Sequence, residues 1–180
     1  MRGFLACVGW VGMLAGAAVY AQEPNRLVEK VSPASVRGRA TVYETINRTA
    51  ATNPVRNLNV YLLASESAKP FEELQNKCRR VMRQPKGDPV QIYQLCQIAQ
   101  AQAFALVPTL PAMATAKTGA DGSFTFDNVA PGRSYHVIGI KSSEDGSPIV
   151  IATKTSRLRP GQRLDLELSE NSPWTGPIIE

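Results

Sequence analysis

The chain has 180 residues, and its 20 Lys and Arg against 15 Asp and Glu give a net charge of +5. That excess is small and scattered, so it gives no footing for nucleic-acid binding. A single histidine excludes centres that need several imidazoles.

The first residues read as an export signal. Arg2 supplies a positive start, Phe4 to Val19 form an uncharged apolar run, and Val19-Tyr20-Ala21 places small residues at the minus-three and minus-one positions. This predicts a signal peptide over 1–21, cut after Ala21. A retained anchor is the competing reading, but the run is short for a span and lacks a basic stop. Removing Arg2 with this segment leaves 19 Lys and Arg against 15 Asp and Glu. No later stretch is long and apolar enough to span a membrane, so no stable span is expected after cleavage. The localisation predicted is secreted or periplasmic.

Residues 22–35 form a polar leader with Pro24 and Pro33. From Val36 the pattern alternates: Val36, Gly38, Ala40 and Val42 against Arg37, Arg39, Thr41 and Tyr43, the period of a strand. Ile46 to Asn53 reads as a loop. A second strand follows with Leu58, Val60, Leu62 and Ala64 on one face.

Between Pro70 and Val107 the period becomes helical. Phe71, Leu74, Cys78 and Val81 make one stripe, with Glu72 and Glu73 in its first turn. The run from Gln84 to Pro89 breaks the helix. Ile92, Leu95, Cys96, Ala99 and Ala103 then line a second helix, flanked by Gln91, Gln94, Gln97 and Gln100 as a solvated face.

Strand patterning resumes at Ala114–Thr118, Phe124–Phe126, Tyr135–Lys141, Pro148–Thr155 and Arg163–Leu168, with turns at Gly119–Gly122 and Pro131-Gly132. The expected fold class is an all-β sandwich of about seven antiparallel strands, prealbumin-like, with an inserted α-helical hairpin. Residues 172–180 are a tail.

The segment Ala116-Lys-Thr-Gly-Ala-Asp-Gly-Ser-Phe-Thr-Phe-Asp-Asn-Val-Ala-Pro-Gly-Arg-Ser-Tyr-His-Val resembles the signature of carboxypeptidase regulatory-like domains, with their Asp-Gly turn, Phe-x-Phe strand, Pro-Gly turn and Tyr-led strand. Val36 to Val42 is similar to that family's opening strand, Pro54 to Leu62 to its second, and Arg159 to Leu168 to its closing strand. The resemblance covers 36–65 and 112–168; the domain reads as 36–171, with 70–107 inserted. It implies a sandwich of the transthyretin-like and Cna protein B-type group, non-catalytic and without a cofactor. The implied roles are folding support, spacing and adhesion, and related starch-binding-like domains leave a glycan or small ligand open.

Each signature residue has a physical reason. Gly122 supplies the positive φ of a tight hairpin. Phe124 and Phe126, two apart, send both rings into one face. Pro131-Gly132 turns the chain. These are framework residues, so no ligand-binding residue is named from them.

Cys78 and Cys96 stand nine residues either side of Gly87 on the two apolar stripes, which predicts a disulfide in an oxidising compartment; two free buried thiols are the alternative. A metal site is disfavoured, since His136 lies elsewhere. Ile138 and Ile140 point away from the core set Tyr135, Val137 and Gly139, so the outer face of that strand needs a cover, and the hairpin is the expected one. Lys77, Arg79, Arg80, Arg83 and Lys86 either complement the helix dipole or bind an anion.

No catalytic residue is named. His136 has no Ser or Cys nucleophile in a recognisable motif beside it. Glu144-Asp145 and Asp165-x-Glu167 are not marked as a glycosidase pair, and Asp121 and Asp127 do not match a calcium loop. Arg37 and Arg39 occupy the opening strand where isopeptide chemistry needs lysine. Asn47-Arg-Thr is a glycosylation sequon of meaning only in a eukaryote. The function expected is a structural or interaction module at the cell envelope with a protein or glycan partner and no nucleic acid. The alternatives are a carbohydrate or small-ligand binder using aromatics near Tyr43, Tyr61 or Trp174, or an accessory domain assisting an enzyme.

Overall fold

The computed structural model describes residues 31–46, 49–83, 88–144 and 146–169, with only the backbone of 43–46, 49 and 50. The signal segment, Asn47, Lys86, Asp145 and Trp174 lie outside the described residues.

Among the described residues, eight strands and two α-helices follow one another as β1 (Ala34–Ile46), β2 (Thr49–Pro54), β3 (Asn59–Ala64), α1 (Lys69–Met82), α2 (Pro89–Leu106), β4 (Ala114–Lys117), β5 (Ser123–Val129), β6 (Tyr135–Ser142), β7 (Pro148–Lys154) and β8 (Arg163–Ser169). They form two four-stranded sheets. In the first, β1 is central. β8 runs along one side of it, while β5 pairs with its first half and β2 with its second half on the other. The second sheet has the order β4-β3-β6-β7, antiparallel throughout.

Two sequence expectations need correction. Eight strands are present among the described residues, not seven, because the expected loop from Ile46 to Asn53 holds β2, paired with β1 from Thr41–Pro54 to Ile46–Thr49. Thr49-Ala-Ala-Thr-Asn-Pro lacks large apolar side chains, so no alternation announces it; backbone pairing with the overlong β1 makes the strand. The pairing is also not all antiparallel: β1 and β8 run parallel from Ser35–Arg163 to Thr41–Ser169. Most of the chain lies between these two strands, long enough for the crossover that parallel neighbours require. β1 itself starts at Ala34, two residues before the alternation expected from Val36.

One apolar cluster lies between the sheets. Val36, Ala40, Phe124, Phe126 and Leu168 from the first meet Val60, Leu62, Val137 and Ile151 from the second, all buried. The arrangement is compatible with a β-sandwich carrying a helical insert. Phe124 and Phe126 do share a face, their ring centroids 5.8 Å apart and tilted by 60°. Gly122 adopts φ +78°, and a β-carbon there would run into the Ala40 carbonyl that faces it. Tyr135, fully buried at the head of β6, donates its hydroxyl to the Ala130 carbonyl at 2.6 Å and so ties the strand to the turn before it. Burial pushes that phenol above its ordinary value, opposed by Arg133 and assisted by Glu66.

Candidate functional site: the stapled hairpin and the arginine-lined groove

The outer face of the second sheet is a set of cross-strand rows. Leu63, His136 and Lys154 make one, Tyr61, Ile138 and Ala152 the next, Asn59, Ile140 and Val150 the third. The helical hairpin covers it. Ala68 and Phe71 at the start of α1, with Ala103 and Val107 at the end of α2, join Leu63, Ile138, Ile140 and Val150 in a second buried cluster. The cover expected over Ile138 and Ile140 is therefore present. Tyr61 packs against this cluster half-buried, so it is not an exposed stacking platform. The side chain of Tyr43 lies outside the described residues.

Local rules build the two helices. Pro70 sits in the first turn of α1, and Asp88 caps α2 by accepting a hydrogen bond from the Val90 amide at 3.0 Å, with Pro89 following. Cys78 and Cys96 are bonded, their α-carbons 4.9 Å apart, and with Ala99 form a small third cluster. The disulfide expected from the spacing joins the helices in a cluster separate from the one on the sheet.

Three further contacts lock the hairpin down. His136 donates from Nε2 to Glu72 Oε1 at 2.9 Å, and Lys154 Nζ reaches the same oxygen at 3.1 Å. Gln100 donates to the Pro148 carbonyl at 3.0 Å, so it belongs to the inner side and not to the solvated flank expected of it. Burial lowers the His136 pKa; Glu72 opposes this and Lys154 adds to it. His136 is 4% exposed, and its Nδ1 has no hydrogen-bond partner among the described residues.

The outward face of α2 departs from the sequence expectation. Its buried residues are Cys96, Ala99 and Ala103, whereas Leu95 is exposed with Val90, Tyr93 and Ile98. Small alanines take the inner positions because they let the helix approach closely, and larger apolar side chains are left outside. The helix contains no charged residue. On α1, Arg80 donates to the Asn76 carbonyl at 3.3 Å, and Arg79 and Arg80 lie in the last turn, the placement that complements the helix dipole.

A groove at one end of the sheets was not anticipated. It measures about 970 Å³ between Gly132 and the loop Ser156–Gln162. A neighbouring hollow of about 400 Å³ shares Gly132, Ser156 and Arg157 and adds Glu66, Arg133 and Lys154. The loop is pinned. Leu158 is buried in the core and bonds through both backbone groups, its carbonyl to the Gly132 amide at 2.8 Å and its amide to the Arg133 carbonyl at 3.0 Å. Arg159 N donates to Gln162 Oε1 at 2.7 Å, and Gly161 N to the Ser32 carbonyl at 3.0 Å. Arg157 and Arg159 flank the buried Leu158, and both are exposed, as is Arg133. The sequence signal was Arg157-Leu-Arg159, an apolar plug between two bases, in a stretch that periodicity read only as an interval between strands.

The acidic residues singled out earlier stand apart. Asp121 accepts from Ser123 Oγ at 2.7 Å and Ser123 N at 3.1 Å, and these bonds hold its carboxyl below the ordinary value. Asp127 is exposed at the other end of β5, and Glu144 lies on a separate loop. Asp165 faces Arg163 at 3.7 Å, while Glu167 accepts from Thr41 Oγ1 at 3.0 Å. No protein-family model matches the chain, and a search of curated proteins finds no match.

Proposed function

We propose that the chain is an exported, non-catalytic, prealbumin-like sandwich related to carboxypeptidase regulatory-like domains, acting as a protein-interaction module at the cell envelope. The observation that carries this reading is the outward face of α2. A helix without a charge, held by a disulfide and laid on a sheet, displays Val90, Tyr93 and Ile98 to solvent at more than half exposure. Exposed apolar residues of this kind, grouped on one element, suit a partner surface. The sandwich beneath is their support. Two features favour export: the signal-like amino end and a disulfide of the sort that persists in oxidising compartments. Among the described residues no helix is long and apolar enough to cross a membrane.

A photo-crosslinking residue in place of Tyr93 tests the interaction in living cells of the source. A discrete adduct with one envelope protein, absent when Ile98 is changed to Asp, is expected. Adducts no more defined than those from Asp165, an exposed residue of β8, would remove the basis for the proposal. Amino-terminal sequencing of the envelope form tests export separately, with Gln22 as the expected first residue.

A further inference from the structure

We infer that the groove between Gly132 and the Ser156–Gln162 loop is a binding site for an acidic polysaccharide. Arg157 and Arg159 line the larger hollow and Arg133 and Arg157 the smaller, and the backbone bonds of Leu158 to Gly132 and Arg133 tie the two segments that carry them. No acidic side chain among the described residues pairs with any of them. Lys154 adds a fourth base, engaged with Glu72, and Glu66 is the acid in the lining. A concave surface lined mainly by one sign of charge concentrates the opposite ion. Arginine forks recognise carboxylate and sulfate bidentately.

The geometry selects an extended ligand. Two hollows of about 970 and 400 Å³ adjoin, sharing Gly132, Ser156 and Arg157 in their walls, with basic residues lining both. Anions repeating along a chain fit this better than one small ion does. The loop is already fixed by hydrogen bonds and by the Leu158 plug, so little ordering cost accompanies binding. Among the described residues no aromatic side chain lines either hollow, so these linings offer no stacking platform of the kind single-stranded nucleic acid uses. Preferring a saccharide to other polyanions rests on the export reading above; the charge geometry does not.

Calorimetry on the purified, oxidised protein at low salt tests the site, with polygalacturonate as probe. Dextran serves as the neutral control, with inorganic phosphate and anionic phosphatidylglycerol vesicles as competing anions. Polygalacturonate is expected to bind, to weaken at least tenfold in Arg157→Gln/Arg159→Gln, and to be unaffected by Arg80→Gln/Arg83→Gln at the end of α1. All these residues are exposed, and unchanged melting temperatures check that the variants fold. Absence of binding, equal binding of dextran, equal loss in the α1 variant, or tighter groove-dependent binding of phosphate or vesicles overturns the inference. None of these outcomes bears on where the mature amino terminus lies or on the Tyr93 adduct, so the two proposals fail separately.

Discussion

His136 Nε2 and Glu72 Oε1, 2.9 Å apart, join the start of β6, at one end of the second sheet, to the first turn of α1. The pair explains a residue that the sequence leaves unplaced. His136 sits second in β6 between the apolar Tyr135 and Val137, and its partner lies 64 positions earlier in an inserted helix, so no local pattern connects them. Because the histidine is buried and Glu72 only partly so, the imidazole is held neutral, donating from Nε2. A second proton would go to Nδ1, which has no acceptor.

Stability should therefore fall on acidification. The folded pKa lies below the ordinary 6.5, chiefly through burial, with Glu72 pulling it up and Lys154 pushing it down. Below pH 6.5 the unfolded chain takes up more protons than the folded one. The His136 contribution is thus complete above 6.5 and is lost as pH drops from there towards the folded pKa. Urea unfolding from pH 7.5 to 5 checks this. His136→Gln should flatten that part of the profile, and an unchanged slope would contradict the assignment. Glu72→Gln, which keeps an acceptor but loses the charge, should cost on the order of 1 kcal/mol at pH 7.

Reduction of Cys78–Cys96 should loosen the hairpin first. The bond closes 18 residues of sequence, for which chain entropy gives about 3 kcal/mol. Hydrogen exchange before and after reduction is the measurement. Amides of α1 and α2 should lose protection by a larger factor than those of β3 and β6. Equal loss everywhere would mean that hairpin and sheets unfold as one unit.

The parts of the fold legible in the sequence are those where one face is apolar and the other wet. Phe124 and Phe126, Val36 and Ala40, and Val60 and Leu62 all lie on the face their alternation predicts. Ile138 and Ile140 betrayed a second covered face, and nine-residue symmetry about Gly87 betrayed the disulfide. What escaped depends on pairing instead of side-chain contrast. β2 carries no apolar period, and the parallel β1–β8 ladder joins residues 128 positions apart. Leu95 was misplaced because two helical faces of α2 are apolar, and periodicity cannot say which one meets the sheet. The arginine groove escaped for a different reason: it is assembled by two connections from opposite sides of β6 and β7, neither of them periodic.

Gly38 is expected to tolerate no side chain. It lies opposite Phe124 in the β1–β5 ladder, and a β-carbon would overlap that ring and crowd the Leu166 carbonyl at 2.8 Å. Gly38→Ala must displace a core aromatic or the parallel strand, so a loss of about 1–3 kcal/mol is expected. Thermal unfolding measures it. Gly146→Ala is the contrast: its β-carbon would meet nothing within 4 Å, leaving only the strain of φ +84°. Gly38→Ala should therefore lower the melting temperature more than Gly146→Ala. The reverse order would mean that Phe124 yields readily.

Phe71→Ala and Phe124→Ala should behave differently although both empty a buried site. Each removes a ring from a packed cluster, at a cost of about 3–5 kcal/mol. Phe124 belongs to the cluster between the sheets, so its loss weakens everything that those sheets support. Phe71 belongs to the cluster under the hairpin, where its truncation frees Ile138, Ile140 and Val150 from their cover. If the sheets hold without that cover, Phe71→Ala will give a partly open state. Such a state would bind a hydrophobic dye, keep strong protection in β1 and β5, and lose it in α1. Should Phe71→Ala instead unfold every strand in a single transition, the hairpin is an integral wall of the domain, and α2 cannot move independently of the sandwich when a partner engages Tyr93.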